Sequence, residues 1–392
     1  MRSTYRLPFV LPSTPRLGSS YRKRGSFVGS LVLLCGLTTA LPAVAAGAPG
    51  RPIPQMGQSR PQQARGATGG VIDDLKHIVT IGSTVDELNG DVNPYGLTIA
   101  PSTSGNITAG DLLVCNFNDS FNIQGLGTTI EVLHPKAGSK PQRLIADGRL
   151  TGCAALAVGP DSAPWVAAYD ANLNPIVSTS GSFLTGIGQF PWTQPWGQAY
   201  SGTKGPRGQG AFYESNANDG SIVRINLASK GFTFDTIVTG FSVNHGIPGN
   251  ILAPAGLTYD SVNDVLYIVD SNANRLVALK APGKIPPGGV IVTGSKFGGS
   301  AGGSARVVFA GAPLAAPISS ALLYNGDVVV GNTANNLLLE ISPASNSIVG
   351  QKNLDSHAPG ALFGIAATGT SAASTLIYFN DDNQNAVDVL MP

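Results

Sequence analysis

Six times along the chain one phrase returns: a lead-in, an apolar run, a knot rich in Asn and Asp, and a second alternating run. The fullest copy reads "PAGLTYDSVND" and then "LYIVDSNANRLVALK", Leu266 to Lys280. Looser copies begin at "NPYGLTIAP", "GCAALAVGP", "QPWGQAYSG", "APISSALLYN" and "GALFGIAATG". The residues that end the first apolar run align as Asn116, Asp170, Glu214, Asp270, Gly331 and Asn380, with spacings of 54, 44, 56, 61 and 49 residues. Repetition at this period restricts the fold more than any local propensity, because each unit buries its apolar faces only against its neighbours.

Between the phrases lie further strand candidates, "QRLIADG", "FTFDTIVTG", "RVVFAG" and "SIVGQKNL", which supply a fourth strand to units one, three, four and five. Unit two offers only the indistinct "SFLTGIG". Unit six offers none, since the chain ends at Pro392. An unpartnered "HIVTIG", His77 to Gly82, precedes unit one. Borrowing it completes the last unit, closes the ring and removes an open sheet edge. The expected architecture is all-β, a six-bladed β-propeller over residues 71–392 whose N-terminal strand closes the last blade. The longest insertion, "PPGGVIVTGSKFGGSAGGSAR", is Gly- and Ser-rich and reads as a mobile excursion inside unit four.

Charged residues make up only 12% of the chain, against ~25% in ordinary soluble domains. Polarity comes instead from Asn, Ser, Thr and 50 Gly, joined by 28 Pro, which suits many short strands linked by turns. With 24 basic and 23 acidic residues the whole chain is nearly neutral, which gives no reason to expect nucleic acid or an anionic membrane as partner.

The first 45 residues read as a signal peptide: Arg22, Lys23 and Arg24 precede "SFVGSLVLLCGLTTALPAVAAGA", with small residues at Ala43 and Ala45. The apolar part is short and broken by Gly and Pro, so no membrane span is expected in the mature chain. Leu34 before Cys35 argues against a lipid-anchored cysteine, and "KRGSF" lacks paired arginines. A secreted or periplasmic location follows. Residues 46–70 are Pro-, Gln- and Gly-rich and read as a disordered linker. Two cysteines remain beyond the signal, Cys115 and Cys153; an oxidising compartment lets them pair, and a free buried thiol is equally ordinary in an apolar run.

The fourth unit resembles an NHL repeat, through Pro254, Gly256, Asp260, Tyr267, Asp270, Asn274 and Arg275. Pro94, Gly96 and Asn116 carry the likeness into unit one, whereas unit five has Gly331 at the acidic position. The resemblance implies a six-bladed NHL-like propeller of the kind found in bacterial secreted proteins, where it serves as a binding scaffold. Related six-bladed propellers, gluconolactonase-like and strictosidine-synthase-like, are enzymes, and fold alone does not choose between them.

Candidate chemistry is sparse. A ring of carboxylates and amides at the strand ends, with Glu214 and Asp270 as the acidic members, is a donor set for a hard cation such as Ca²⁺. The competing reading is that Asp and Asn cap their own hairpin turns, which explains their return in every unit. His245 and His357 fall in loops that lead into units four and six, where a histidine serves as acid, base or ligand, or is incidental. Tyr95, Trp196 and Phe363 occupy equivalent lead-in positions and form a candidate binding set. Trp192 reads as core between blades, and His77 and His134 as structural. Asn106 and Asn118 open glycosylation sequons that carry little weight behind a bacterial-looking signal. No nucleophile elbow, zinc helix, Cys-x-x-Cys or phosphate loop is present. The sequence therefore favours a monomeric scaffold for a protein, peptide or glycan, with a metal-assisted hydrolase or lyase acting at the channel mouth as the alternative.

Overall fold

Strands of four to eight residues dominate because the chain alternates β-branched or aromatic residues with polar ones and breaks the runs with Gly, Asn and Pro. The computed structural model describes residues 69–188, 191–206, 210–228 and 231–392. The expected signal peptide with Cys35, the linker up to residue 68, and Phe190 lie outside the described residues.

The strand that precedes the repeats is β1 (His77–Ser83). Blade one holds β2 (Val92–Ile99), β3 (Leu112–Asn118), β4 (Thr129–Leu133) and β5 (Gln142–Ala146); blade two holds β6 (Cys153–Val158), β7 (Pro164–Ala168), β8 (Leu173–Val177) and β9 (Phe183–Gly188). Blade three runs through β10 (Pro195–Tyr200), β11 (Ala211–Asn216), β12 (Ile222–Leu227) and β13 (Phe232–Thr239). Blade four takes β14 (Pro254–Asp260), β15 (Val265–Asp270), β16 (Arg275–Lys280) and, after the hairpin β17 (Val290–Thr293) and β18 (Lys296–Gly298), β19 (Ala305–Ala310). Blade five is β20 (Pro317–Leu322), β21 (Val328–Asn332), β22 (Leu337–Ser342) and β23 (Ser347–Asn353). Blade six is β24 (Leu362–Thr368), β25 (Leu376–Asp381) and β26 (Ala386–Met391), completed by β1.

The expected closure is present. Strand β1 pairs antiparallel with β26 from His77 opposite Met391 to Ser83 opposite Ala386. Just before it, Val71, Ile72 and Leu75 are buried between blades five and six, and Glu340 Oε2 accepts the Ile72 N–H at 2.9 Å. The indistinct "SFLTGIG" proves to be the outer strand β9.

The insertion in unit four differs from the expected excursion. It folds into the hairpin β17–β18, and β17 joins blade three in parallel, with Val238 opposite Val290, giving a six-stranded sheet. Val290 and Val292 alternate with exposed residues and enter the core between blades three and four, so burial of their side chains holds the hairpin down.

Among the described residues the apolar side chains gather into six clusters, one in each gap between neighbouring blades, and a seventh at one end of the channel. Cys115 of β3 and Cys153 of β6 form a disulfide across the gap between blades one and two, both fully buried, with Cα atoms 5.3 Å apart.

The lead-in motif has a geometric cause. In every blade the pairing of first and second strands slips just after the lead-in, as between Pro94 and Leu97 or Pro254 and Leu257. There Gly96, Ala155, Gly197, Gly256, Ser319 and Gly364 line the channel. A Cβ on Gly256 would lie 2.7 Å from Ser319 Cα, and one on Gly96 2.9 Å from Ala155 Cα. Inner strands of adjacent blades thus meet backbone to backbone, and only small residues fit.

Candidate functional site

The turns between second and third strands and the loops that open each blade share one face, the mouth face. One position before the small-residue ring stand Tyr95, Ala154, Trp196, Ala255, Ile318 and Phe363. The three aromatic members, singled out from their lead-ins, do come together. Tyr95 stacks on Phe363 with centroids 3.8 Å apart and on Phe117 at 4.1 Å, and Trp196 meets Tyr95 edge-on at 5.8 Å. Tyr169 closes the group at 5.3 Å from Trp196, and Ile251 and Ala253 of the loop between blades three and four pack on it. Ala154 and Ala255 flank Trp196 and leave room for its indole, while Phe363 and its ring neighbour Tyr95 fit side by side by stacking. Below them the channel encloses about 80 Å³, enough for a few water molecules. Trp192 is 2% exposed, packed on Phe234 between blades two and three as expected for core.

Polar residues edge this aromatic stack in a connected chain. Tyr95 donates its hydroxyl to Gln124 Oε1 at 3.2 Å. With the Asn93 amide turned to satisfy both ends, its oxygen accepts from Gln124 Nε2 at 3.2 Å and Asn118 Nδ2 at 2.7 Å, and its NH₂ donates to Asp382. Asn93 takes left-handed backbone, φ 65°, which Asn tolerates. Burial, and then the like charge of Asp381, push the Asp382 carboxyl up to about 7. Burial and Asp382 together push the Tyr95 phenol up, so it stays a neutral donor. Asn118, one of the sequons, is fully buried in this network.

The two loop histidines lie apart from the stack. His357 is exposed at the rim between blades five and six, its Nδ1 2.5 Å from Asp355 Oδ1. Burial opposes ionisation of Asp355, but the Asn383 amide and His357 outweigh it and hold its carboxyl below the usual range. His245 is exposed in the loop between blades three and four, also in left-handed backbone, φ 50°. His134 Nδ1 lies 2.6 Å from the buried Asp111 and ties a loop end on the opposite face.

The acidic pair considered for Ca²⁺ is not one site. Asp270 is fully buried and accepts from Arg275 Nε at 2.8 Å within its own hairpin, the turn-capping reading of the Asx knot. Glu214 is fully buried between blades two and three, where its Oε2 accepts from Gln198 Nε2 at 2.8 Å and from Asn174 Nδ2. Burial pushes its carboxyl well above the usual range. Both carboxylates already receive N–H donors that a cation would have to displace, so these residues do not fit the metal. Among the described residues no three of His, Cys, Asp and Glu gather as metal ligands.

Register also corrects the alignment of strand ends. The residues opposite the lead-in position are Asn116, Ala168, Asn216, Asp270, Asn332 and Asp381. Glu214 lies two residues earlier, level with the apolar Val114, Val166, Ile268, Val330 and Phe379. It is therefore a single buried exception in an apolar layer and not a member of a ring. Asn93, Gln124 and Asp382 were not apparent from the sequence, because each is an ordinary loop residue until the fold brings them together.

No protein-family model matches the chain, and no curated protein sequence does. Solved structures do match in fold. A gluconolactonase from Xanthomonas campestris aligns over 80% of this chain and 89% of its own at 10% identity, with a TM-score of 0.54. A chain of a nidogen/laminin complex aligns over 75% and 99% at 12% identity, TM-score 0.53. The calcium-binding protein regucalcin from Agrobacterium tumefaciens aligns over 79% and 93% at 15% identity, TM-score 0.51. Enzymes and binding proteins thus share this architecture, and among the described residues no helix is long and apolar enough to cross a membrane. At these identities the likeness is one of fold, and that fold is the NHL-like six-bladed β-propeller.

Proposed function

We propose that the protein is an exported binding scaffold that offers the mouth face of its propeller to a protein, peptide or glycan partner. One observation carries this reading. The channel end that an enzyme of this shape would use for substrate is narrowed by the protein's own rings, Tyr95, Phe117, Trp196 and Phe363, to a space of about 80 Å³, far below the roughly 300–1,000 Å³ of a small-molecule site. On the mouth face Phe121 and Ile247 are 84% and 76% exposed, which supports contact with a partner. Export is supported by the buried Cys115–Cys153 disulfide, a bond that persists in oxidising compartments. The test is a random peptide display and a glycan array probed with the wild-type chain and with F121D/I247D. Ligands retained by the wild type and lost by the variant are expected; an identical set on both would end the scaffold reading.

A second reading rests on the His357–Asp355 pair, a geometry in which a carboxylate orients an exposed imidazole for acid–base work. In that reading the protein hydrolyses a lactone or ester at the rim, and H357A abolishes turnover while the fold survives. Absence of turnover with a panel of lactones and aryl esters would remove it.

A further inference from the structure

Near-neutrality of the whole chain conceals a division of charge. Residues 1–68 hold nine of the 24 Lys and Arg and none of the 23 Asp and Glu, so residues 69–392 hold 15 against 23, a net charge of −8. Within the propeller the charges are again unevenly placed. Among the described residues, the mouth-face loops that open the blades and join their second and third strands contain no lysine and one arginine, Arg149, which is paired with Asp147; the exposed Lys296 stands apart from them, at the tip of the β17–β18 hairpin on the outer side of blade three. Arg275, at the foot of another such turn, is buried against Asp270. Glu87, Asp170 and Asp219 are exposed on these loops with no cation beside them, and Asp119 and Asp382 are partly exposed. Lysines lie in the loops of the opposite face, as Lys136, Lys140, Lys204 and Lys284.

The apolar surface stands inside this acidic surround. Asp119 Oδ1 accepts the N–H of Phe121 at 3.1 Å and of Ile123 at 2.9 Å, a side-chain turn that fixes the loop bearing both side chains. Ile123 is 51% and Leu126 39% exposed. The loop carrying Ile247 abuts this one: a Cβ on Gly249 would lie 3.1 Å from Gln124, and one on Gly125 3.5 Å from Pro248. Four exposed aliphatic and aromatic side chains on two touching loops form a patch that water covers at a cost.

We propose that this patch of Phe121, Ile123, Leu126 and Ile247 is the docking surface for a separate, basic polypeptide segment that sets Lys or Arg beside aliphatic or aromatic side chains. The inference rests on the scaffold reading and gives its partner a chemistry. Charge complementarity decides the occupant. An acidic partner would meet Glu87, Asp170 and Asp219 with no cation to offset them, whereas a basic one gains attraction and faster encounter. A purely apolar partner would leave those carboxylates facing it without compensation, and a purely basic one would leave Phe121 and Ile247 in water.

The experiment uses the full chain as bait for a random peptide display of roughly a dozen residues, a length that spans such a patch. Enriched peptides are then synthesised and titrated on the wild type, F121S/I247S and E87K/D170K/D219K at low and high salt. Selected peptides should carry a positive excess with Leu, Phe or Trp, and should bind each variant about tenfold more weakly; high salt should weaken them similarly. Peptides that need Phe121 and Ile247 but show no positive excess would overturn the basic partner and leave the scaffold standing. If no selected peptide is sensitive to F121S/I247S, both readings fall. A tenfold gain in affinity on deleting residues 46–68 would instead identify the occupant as the chain's own arginine-bearing segment, overturning a separate partner.

Discussion

Glu214 Oε2 accepts from Gln198 Nε2 at 2.8 Å inside a layer where the other five blades carry Val, Ile or Phe. Burial raises this carboxyl above its unfolded value, so the native state holds a proton that the unfolded chain releases. Its contribution to stability is complete below about pH 4, where both states are protonated, and is lost as pH rises toward the folded pKa. Glu214→Gln removes that dependence and can donate toward Asn174 Oδ1, which otherwise lacks a partner. Urea midpoints taken from pH 4 to 9 should therefore fall less steeply for Glu214→Gln than for the wild type. Parallel curves would show that Glu214 does not titrate in this way.

The aromatic stack makes a separate prediction. Tyr95 is 5% exposed and touches Phe117, Trp196 and Phe363. Tyr95→Ala should cost about 3–5 kcal/mol by opening a cavity where the inner strands converge. Tyr95→Phe keeps the stack and loses only the bond to Gln124, about 1 kcal/mol. Denaturant melts of the pair discriminate: equal costs would mean that the hydrogen-bonded chain, and not the stack, holds the mouth.

Most of the architecture was legible because each blade repeats its own burial problem. The lead-in Gly, the Asx turn and the closing "HIVTIG" all follow from local steric or pairing needs and so leave a mark in the sequence. The strand-end alignment failed where chemistry departed from position. The end of the apolar run aligns Glu214 with the strand ends, whereas the slipped pairing at Pro195 puts Asn216 there. The hairpin β17–β18 was masked by its glycines, although Val290 and Val292 already alternated. The mouth network was illegible for a different reason. Asn93, Gln124 and Asp382 are brought together by ring closure across nearly the whole chain, and nothing local distinguishes them.

The disulfide between Cys115 and Cys153 joins two blades across a sequence separation of 38 residues. Loop-closure entropy assigns it about 4 kcal/mol. Replacing both cysteines by serine, with unfolding followed by intrinsic fluorescence, should lower stability by that order, and a reductant should then have no further effect. A reductant that leaves the wild-type midpoint unchanged would argue that the bond contributes little.

Closure of the ring gives the most severe test of the fold. Strand β1 covers the edge of β26, and the residues before it bury Val71, Ile72 and Leu75 between blades five and six. Each such side chain is worth about 1.5–3 kcal/mol, so deleting residues 71–82 removes an amount comparable to the ~5–15 kcal/mol that holds a typical domain. It also exposes the β26 edge, a template for association with other chains. The deleted protein should lose its cooperative melt and aggregate, whereas deletion of residues 46–68 should leave the midpoint unchanged. A soluble, cooperatively folded 71–82 deletion would require that β26 tolerate an open edge, and would refute closure by β1 as the source of the ring's stability.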